Sequence, residues 1–231
     1  RGLFDLAHIT ALKDFGDSCK RLLIIALPAG LTSMLPSFVN ATVNHILAKT
    51  GLDAVAAFGA ATRVEAFTFV IMMALSIGMA PIIGQNWGAG HMARVKDAVK
   101  YALIFSVVWS ISSAIIIAGL ALPIAHLFSS DVLVQHYLTL YLWIVPATYC
   151  LGHLTHGWSS TFNAIGKPQI SSSMLFIKIV ILSIPAMWIG YHLSGAGGVF
   201  FGIAAVNVLT GFAYHFWAWN GLGKKWVPTP R

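Results

Sequence analysis

Six apolar runs, each long enough to cross a bilayer, follow one another along this chain with only short polar stretches between them. They cover approximately Leu22 to Leu47, Ala54 to Ile83, Ala98 to Ala121, Val132 to Leu154, Ile170 to His192 and Val199 to Asn220. A hydrocarbon core about 30 Å thick takes about 20 residues of helix to span. Backbone groups in lipid must bond within their own segment or close into a barrel, so separate runs of this length predict helices. The expected fold is an all-α membrane protein, a bundle of six transmembrane helices over 22–220, multi-pass in the plasma or inner membrane. Residues 221–231 read as a cytoplasmic tail. Residues 1–21 mix Leu3, Phe4, Ala7, Leu12 and Phe15 with Asp5, Lys13, Asp14 and Lys20. That pattern predicts an interfacial, amphipathic connector, and no signal peptide is visible in it.

Composition agrees: 58% of the 231 residues are hydrophobic and 9% are charged, against about a quarter charged in a soluble domain. The net charge of +7 does not point to nucleic acid, because the basic residues form no patch with interleaved aromatics. They cluster between the runs. Lys20 and Arg21 precede the first, and Arg94, Lys96 and Lys100 come after the second. Lys167 comes after the fourth, and Lys224, Lys225 and Arg231 after the sixth. The alternate connections hold Lys49, Asp53 and Asp131. Every second loop is basic, which predicts that both termini are cytoplasmic. Cys19 and Cys150 are too few and too far apart for a disulfide framework and read as free thiols.

Proline punctuates the spans. Pro28 and Pro36 should bend the first helix, Pro146 the fourth and Pro185 the fifth, each by removing a backbone donor. Between the second and third runs, Gly84 to Gly90 reads as a glycine-punctuated loop.

The polar groups inside the apolar runs carry the functional argument. Glu65 lies about 11 residues into the second run, roughly 16 Å at 1.5 Å per residue, close to the bilayer centre. An ionisable residue there is a functional-site hypothesis by default, since a carboxyl in hydrocarbon can trade a proton or a cation during transport. The alternative is a permanent structural ion pair. Arg63 is not the partner, because residues two apart on a helix point to nearly opposite sides. Ser33, Ser37, Asn40 and Asn44 form one stripe on the first span, Asn207, Thr210 and Tyr214 another on the sixth. Tyr137, Tyr141, Thr148 and Thr155 mark the fourth span. Such stripes either join helices or line a cavity. A cavity walled by Phe, Met and Trp would suit bulky organic cations. His153 and His156 are one turn apart but lack a third ligand type, so they read as interfacial groups and not as a metal site. Lys178 reads as a residue that snorkels to the membrane surface. Ser106, Ser110 and Ser113 look like close helix contacts. Neither a Gly-x-Ser-x-Gly elbow nor a phosphate-binding Gly-Lys-Ser/Thr loop is present, so no hydrolase or primary ATPase is indicated. The chain reads as no enzyme and needs no cofactor; any energy source is an ion gradient of sodium or protons.

The stretches Gly51-Leu52-Asp53-Ala54-Val55-Ala56-Ala57-Phe58-Gly59, Ala61-Thr62-Arg63-Val64-Glu65 and Gly78 to Gly90 with Arg94 resemble the multidrug and toxic compound extrusion (MATE) family. Phe162-Asn163-Ala164-Ile165-Gly166-Lys167-Pro168 is similar to that family's loop between its tenth and eleventh helices. The resemblance implies one lobe of a twelve-helix transporter, in which two six-helix lobes enclose a central cavity. It implies export of amphiphilic organic cations in exchange for sodium ions or protons. This chain resembles the carboxy-terminal lobe plus part of the inter-lobe connector, and its first residue, Arg1, fits a truncated chain. The implied partners are an amphiphilic substrate, membrane lipid and the amino-terminal lobe. One branch of the family coordinates its cation with carboxylates in the first and fourth helices of this lobe. Here those helices offer Asn40, Asn44, His136 and Tyr141, and no acid. Another branch carries its proton on an aspartate of the other lobe. Glu65 is the intramembrane acid left to nominate as the coupling residue, with Ser37, Asn40, Asn44, Tyr141, Asn207 and Tyr214 lining the cavity and Arg63 as a second intramembrane charge.

Three rival readings remain. A major facilitator half also has a glycine-rich basic loop after its second helix, but that loop usually carries an aspartate, and positions 84–93 have none. A lipid or polysaccharide flippase of the same superfamily would share the fold. A non-transporting membrane scaffold would pack its polar stripes shut.

Overall fold

The computed structural model describes Gly16, Cys19 and residues 34–227. Most of the expected connector, Pro28 and Ser33 of the first span, and Arg231 of the tail lie outside the described residues. Within them the chain is helical, with no strand beyond one isolated bridge between Leu222 and Trp226. Helix α1 covers 34–48. Then come α2 (Leu52–Gly88), α3 (Met92–Gly119), α4 (Ala121–Phe128) and α5 (Val132–Ile144). A 3₁₀ turn, Pro146–Thr148, leads into α6 (Tyr149–Ala164). Helix α7 (Pro168–Phe176) passes through a π-helical segment, Ile177–Ser183, into α8 (Ile184–Gly221). Among the described residues, three stretches are long and apolar enough to cross a membrane: Leu52–Gly88, Met92–Gly119 and Pro168–Gly221.

The last of these is two helical arms joined by a sharp reversal. Ser194 (φ −150°, ψ 26°) and Gly195 (φ 58°, ψ −136°) leave the helical region inside α8, and Gly195 supplies the positive φ. The two halves of α8 then run back against each other. A side chain on Gly190 or Gly198 would collide with the other's carbonyl, and one on Gly202 would come within 2.7 Å of Ala186 O. Small residues that let backbones touch are how helices associate in lipid.

The expected breaks divide. Pro146 ends α5 and starts the 3₁₀ turn, as its missing donor requires. Pro185 stands in the first turn of α8, directly after the π segment in which the hydrogen-bond ladder widens. Pro36 lies within the described part of α1. The expected loop over Gly84 to Gly90 is a correction: α2 stays helical to Gly88, and the turn is confined to Ala89–Gly90, with Gly90 at φ 73°. Gly84 serves packing, since a Cβ there would sit 3.2 Å from Ala164 O. The end of α2 therefore lies beside the end of α6. Gly223, just past α8, abuts the Lys96 side chain near the start of α3. The basic connections after α2, α6 and α8 are thus gathered at one end of the bundle. At the other end Lys49 stands over the Trp188 ring at 4.2 Å, and Asp131 caps α5 by accepting from the Leu133 and Val134 amides.

The interior has two apolar cores. One, near the Lys49 end, gathers Leu47, Ala57, Phe58, Leu138, Met187 and Phe200. The other, near the basic end, gathers Val95, Val99, Trp158, Phe162, Ala218 and Trp226. Between them every packed helix places polar residues: Glu65 and Thr68 on α2, Ser106, Ser110 and Ser113 on α3, His153 and Thr155 on α6, and Asn207 and Thr210 on α8. Large apolar side chains cover the outside instead, Phe67 at 81% and Leu193 at 78% exposure among them. An apolar exterior around a polar middle is what lipid as solvent selects.

Candidate functional site

Glu65 lies half-buried in this middle layer, where α2 packs against α5 and α6. Tyr141 reaches it from α5, its hydroxyl donating to Glu65 Oε2 at 3.1 Å. The Tyr141 ring is 2% exposed and is held edge-on by Phe58 and Phe200, with centroids 5.9 and 5.1 Å away. The donor is therefore fixed before the carboxylate needs it. Tyr149, at the first turn of α6, brings a second hydroxyl near the same carboxylate, close enough for electrostatic interaction. That hydroxyl is buried and makes no hydrogen bond among the described residues. The Pro146 break brings both tyrosines to Glu65: Tyr141 from the last turn of α5 before it, and Tyr149 from the first turn of α6 after it.

Lys178 faces the cluster from the π segment. It is half-buried, and its charge acts on Glu65, His153 and His156, although it closes no ion pair with Glu65. Each i→i+5 turn adds a residue to the helical repeat and rotates the residues downstream of it. The Ser183 hydroxyl donates to Lys178 O at 2.8 Å, five residues back, and so holds the widened turn. The expectation that Lys178 snorkels to the surface is corrected by this placement. The reading of His153 and His156 as interfacial is corrected as well. His153 is 7% exposed, with Nδ1 2.7 Å from Ser110 Oγ, and its ring stacks on Tyr149 at 5.6 Å. Tyr149, His153 and His156 fall at i, i+4 and i+7, a single face of α6. That stripe is the signal the sequence offers for them.

The other nominated residues stand apart from this cluster. Arg63 is exposed on α2 and pairs with nothing among the described residues, in keeping with the two-residue offset from Glu65. On α1, Ser37 and Asn40 are exposed and Asn44 is half-buried. Asn207 donates through Nδ2 to Thr148 Oγ1 at 3.2 Å, tying α8 to the 3₁₀ turn. The Tyr214 hydroxyl donates to Met174 O at 3.0 Å, tying α8 to α7. Of the residues nominated from sequence, the structure brings together Glu65 and Tyr141.

Residues 28–189 match the profile of the MatE family. The chain is 32% identical over 218 residues to a protein of Shewanella oneidensis named FAD transporter, a match covering 94% of this chain and 47% of that protein. It is 28% identical over 194 residues to the multidrug export protein MepA of Staphylococcus aureus, covering 82% and 42%. Among solved structures it is similar to the Vibrio cholerae MATE transporter VcmN in its bent form. There the TM-score is 0.82 at 28% identity, over 90% of this chain and 47% of that one. The chain spans about half the length of the curated relatives it matches.

Proposed function

The chain belongs to the MatE family of multi-pass membrane transporters, and it is not an enzyme; on that premise we propose that it is the carboxy-terminal lobe of a drug exporter in which Glu65 exchanges a cation. The observation that carries this reading is a carboxylate in the polar middle layer, hydrogen-bonded by Tyr141 and faced by the Lys178 charge. A permanent structural pair would close to contact, whereas Glu65 and Lys178 attract each other without touching. That leaves room for a cation on the carboxylate. Loading a sodium ion or a proton there cancels the attraction for Lys178 and favours a different packing of α2, α5 and the π segment. Such differential interaction is what moves a two-state equilibrium. The 3₁₀ turn and the π segment flank the site, and irregular turns are where a helix adjusts at least cost.

Six crossings with both termini cytoplasmic is the arrangement we propose for the lobe. Support comes from the gathering of the basic connections at one end, which the positive-inside rule assigns to the cytoplasm. The substrate class is an amphiphilic organic cation, admitted between this lobe and an amino-terminal one. A second class, a flavin dinucleotide, is favoured by the Shewanella relative's name and by the Lys178 cation in the middle layer.

The test is gradient-driven export by the full-length protein in liposomes, comparing Glu65→Gln with the parent at matched incorporation. Loss of at least about tenfold in rate is expected, since the exchangeable charge is gone. Parent-like export by Glu65→Gln would leave the carboxylate a structural role. Competition of dye export by FAD separates the two substrate classes.

A further inference from the structure

Helices α3 and α8 leave a groove between them on the outside of the bundle, with a volume of about 380 Å³. One face of α3 forms a wall, since Leu103, Ile104, Val107 and Val108 follow Lys100 at i+3, i+4, i+7 and i+8. His215 and Trp219, one turn apart, form the α8 wall, and Leu154 of α6 completes the lining. Lys100 and Trp219 stand at the end of the groove nearest the basic connections. From Lys100 to Val108 the apolar strip runs about 12 Å at 1.5 Å per residue. One leaflet contributes roughly 15 Å, half of a hydrocarbon core about 30 Å thick. The groove therefore spans most of one leaflet, with its cation at the membrane surface.

The polar end of the groove has a defined chemistry. Trp158, fully buried on α6, donates its indole N–H to His215 Nδ1 at 3.2 Å. An indole only donates, so Nδ1 keeps its lone pair and the neutral His215 ring carries hydrogen on Nε2. Trp219 stacks on the same ring with centroids 6.2 Å apart, which fixes its plane. The Nε2–H has no hydrogen-bond partner among the described residues. Lys100 is exposed, forms no ion pair among them, and has its Nζ 6.0 Å from the Tyr101 ring. No carboxylate lines the groove. Arg94, Lys96, Lys167, Lys224 and Lys225 add positive charge at this end of the bundle, where Asp97 is the one acidic side chain among the described residues. A second groove, of about 560 Å³ between α8 and the α7 arm, is lined by Ile170, Ile177 and Trp217 and by no basic residue. Apolar surface is thus common on this exterior, whereas a cation and a free N–H above an apolar strip distinguish the α3–α8 groove.

We propose that the α3–α8 groove binds an anionic phospholipid of the leaflet at the basic end, its phosphate held by Lys100 and the His215 Nε2–H and one acyl chain laid along Leu103, Ile104, Val107 and Val108. The site is independent of the role proposed for Glu65. A phosphate accepts from both donors, and hydrogen bonds between charged partners of this kind are the strong ones. A choline or ethanolamine headgroup would bring its ammonium to a lining that holds a cation and no carboxylate, so a headgroup of net negative charge is selected. The apolar strip continues inward beyond the two donors, which a free phosphate would leave uncovered and an acyl chain fills. Basic pockets between membrane helices on the cytoplasmic side are where anionic headgroups bind, and Trp219 stands at the level where indole rings favour the interface. A lipid seated there touches both α3 and α8 and joins them on their outer side.

The experiment incubates the full-length protein in detergent with phosphatidylglycerol, or with phosphatidylcholine of the same chains, and measures retained lipid by native mass spectrometry. The parent is expected to retain phosphatidylglycerol in preference. Lys100→Gln is expected to weaken that retention about fivefold, the share of one basic residue at a membrane surface, and to leave phosphatidylcholine unchanged. His215→Asn keeps an acceptor for the Trp158 indole but lacks the Nε2 donor, and a loss of about threefold is expected, the usual value of a hydrogen bond within a membrane. Val108→Trp fills the apolar strip and is expected to weaken retention as well. Lys100 and Val108 are both exposed, so their variants decide the question even where His215→Asn does not fold. Benzoylphenylalanine in place of Val108 is expected to photo-crosslink to the lipid. Equal retention of the two lipids by the parent, parent-like retention by Lys100→Gln and Val108→Trp, or crosslinking of position 108 to the amino-terminal half would each overturn the site. Glu65→Gln is expected to keep the lipid preference, so failure of the coupling role leaves the lipid site standing, and the reverse.

Discussion

Tyr141 joins packing and chemistry in one side chain. Its ring completes the apolar core between Phe58 and Phe200, while its hydroxyl is the hydrogen-bond donor to Glu65. The two roles separate by substitution. Tyr141→Phe keeps the ring and removes the donor, so it is expected to cost about 1.5–3 kcal/mol of stability, the range for a bond to a charged group, and to lower export. Tyr141→Ala also empties a core position and is expected to cost about 3–5 kcal/mol. Thermal unfolding in detergent, measured together with export, checks both. If Tyr141→Phe left export unchanged, the hydroxyl would be bystander to the carboxylate. At this scale the sequence is partly legible. Glu65 is the only glutamate in the chain and stands inside an apolar run, so its cost in lipid singles it out. Depth along the run does not place Lys178: a lysine toward one end of a span can snorkel, whereas here its charge acts on Glu65. The spacing of His153 and His156 says little about metal ligation; its meaning lies in the stripe they share with Tyr149.

The elements show where apolar patterning suffices and where it stops. Helices α2, α3, α5 and α7–α8 overlap the apolar runs, because run length against bilayer thickness is a strong constraint, whereas α4 lies between the third and fourth runs and α6 continues past Leu154. Their ends are less legible. Glycines at 84 and 88 look like loop residues, yet α2 continues through them because Gly84 lets the helix approach Ala164 O; that close approach is a tertiary fact. The hairpin within α8 makes the same point with a test attached. Gly198→Ala puts a methyl group against the Gly190 carbonyl, which is backbone and cannot swing away. Overpacking of this kind costs about 1–3 kcal/mol and more where backbone must move. Gly78→Ala, on a part of α2 where an added Cβ meets nothing within 4 Å, is expected to be neutral or stabilising by up to about 1 kcal/mol. Melting temperatures of the two variants in one detergent give the comparison. Equal shifts would mean that the two halves of α8 do not meet as described.

For the molecule as a whole, the decisive arrangement is a polar layer held between two apolar cores and reached from α2, α3, α5, α6, the π segment and α8. Packing alone does not call for it, since replacing buried polar and ionic groups with apolar ones of similar volume is often neutral or stabilising. Keeping Glu65, Lys178 and two histidines at one level fits a molecule that must move charge there. Sequence alone puts Glu65 at that depth but cannot show the convergence, because convergence depends on the Pro146 break, the π segment and the α8 reversal acting together. Charge movement across a membrane further requires that the site be open to the two sides in turn. One bundle supplies one wall of such a passage. The second has to come from a surface that this chain meets, and the chain spans about half the length of its curated relatives. Reconstituted by itself the chain is therefore expected to insert in liposomes without exporting a cationic dye under either a proton or a sodium gradient. Co-reconstituted with the amino-terminal half of the full-length protein, it is expected to regain export that depends on Glu65. Gradient-driven export by the single bundle would show that alternating access needs no second lobe, and the division of labour argued for Glu65 would then have to be contained within these helices.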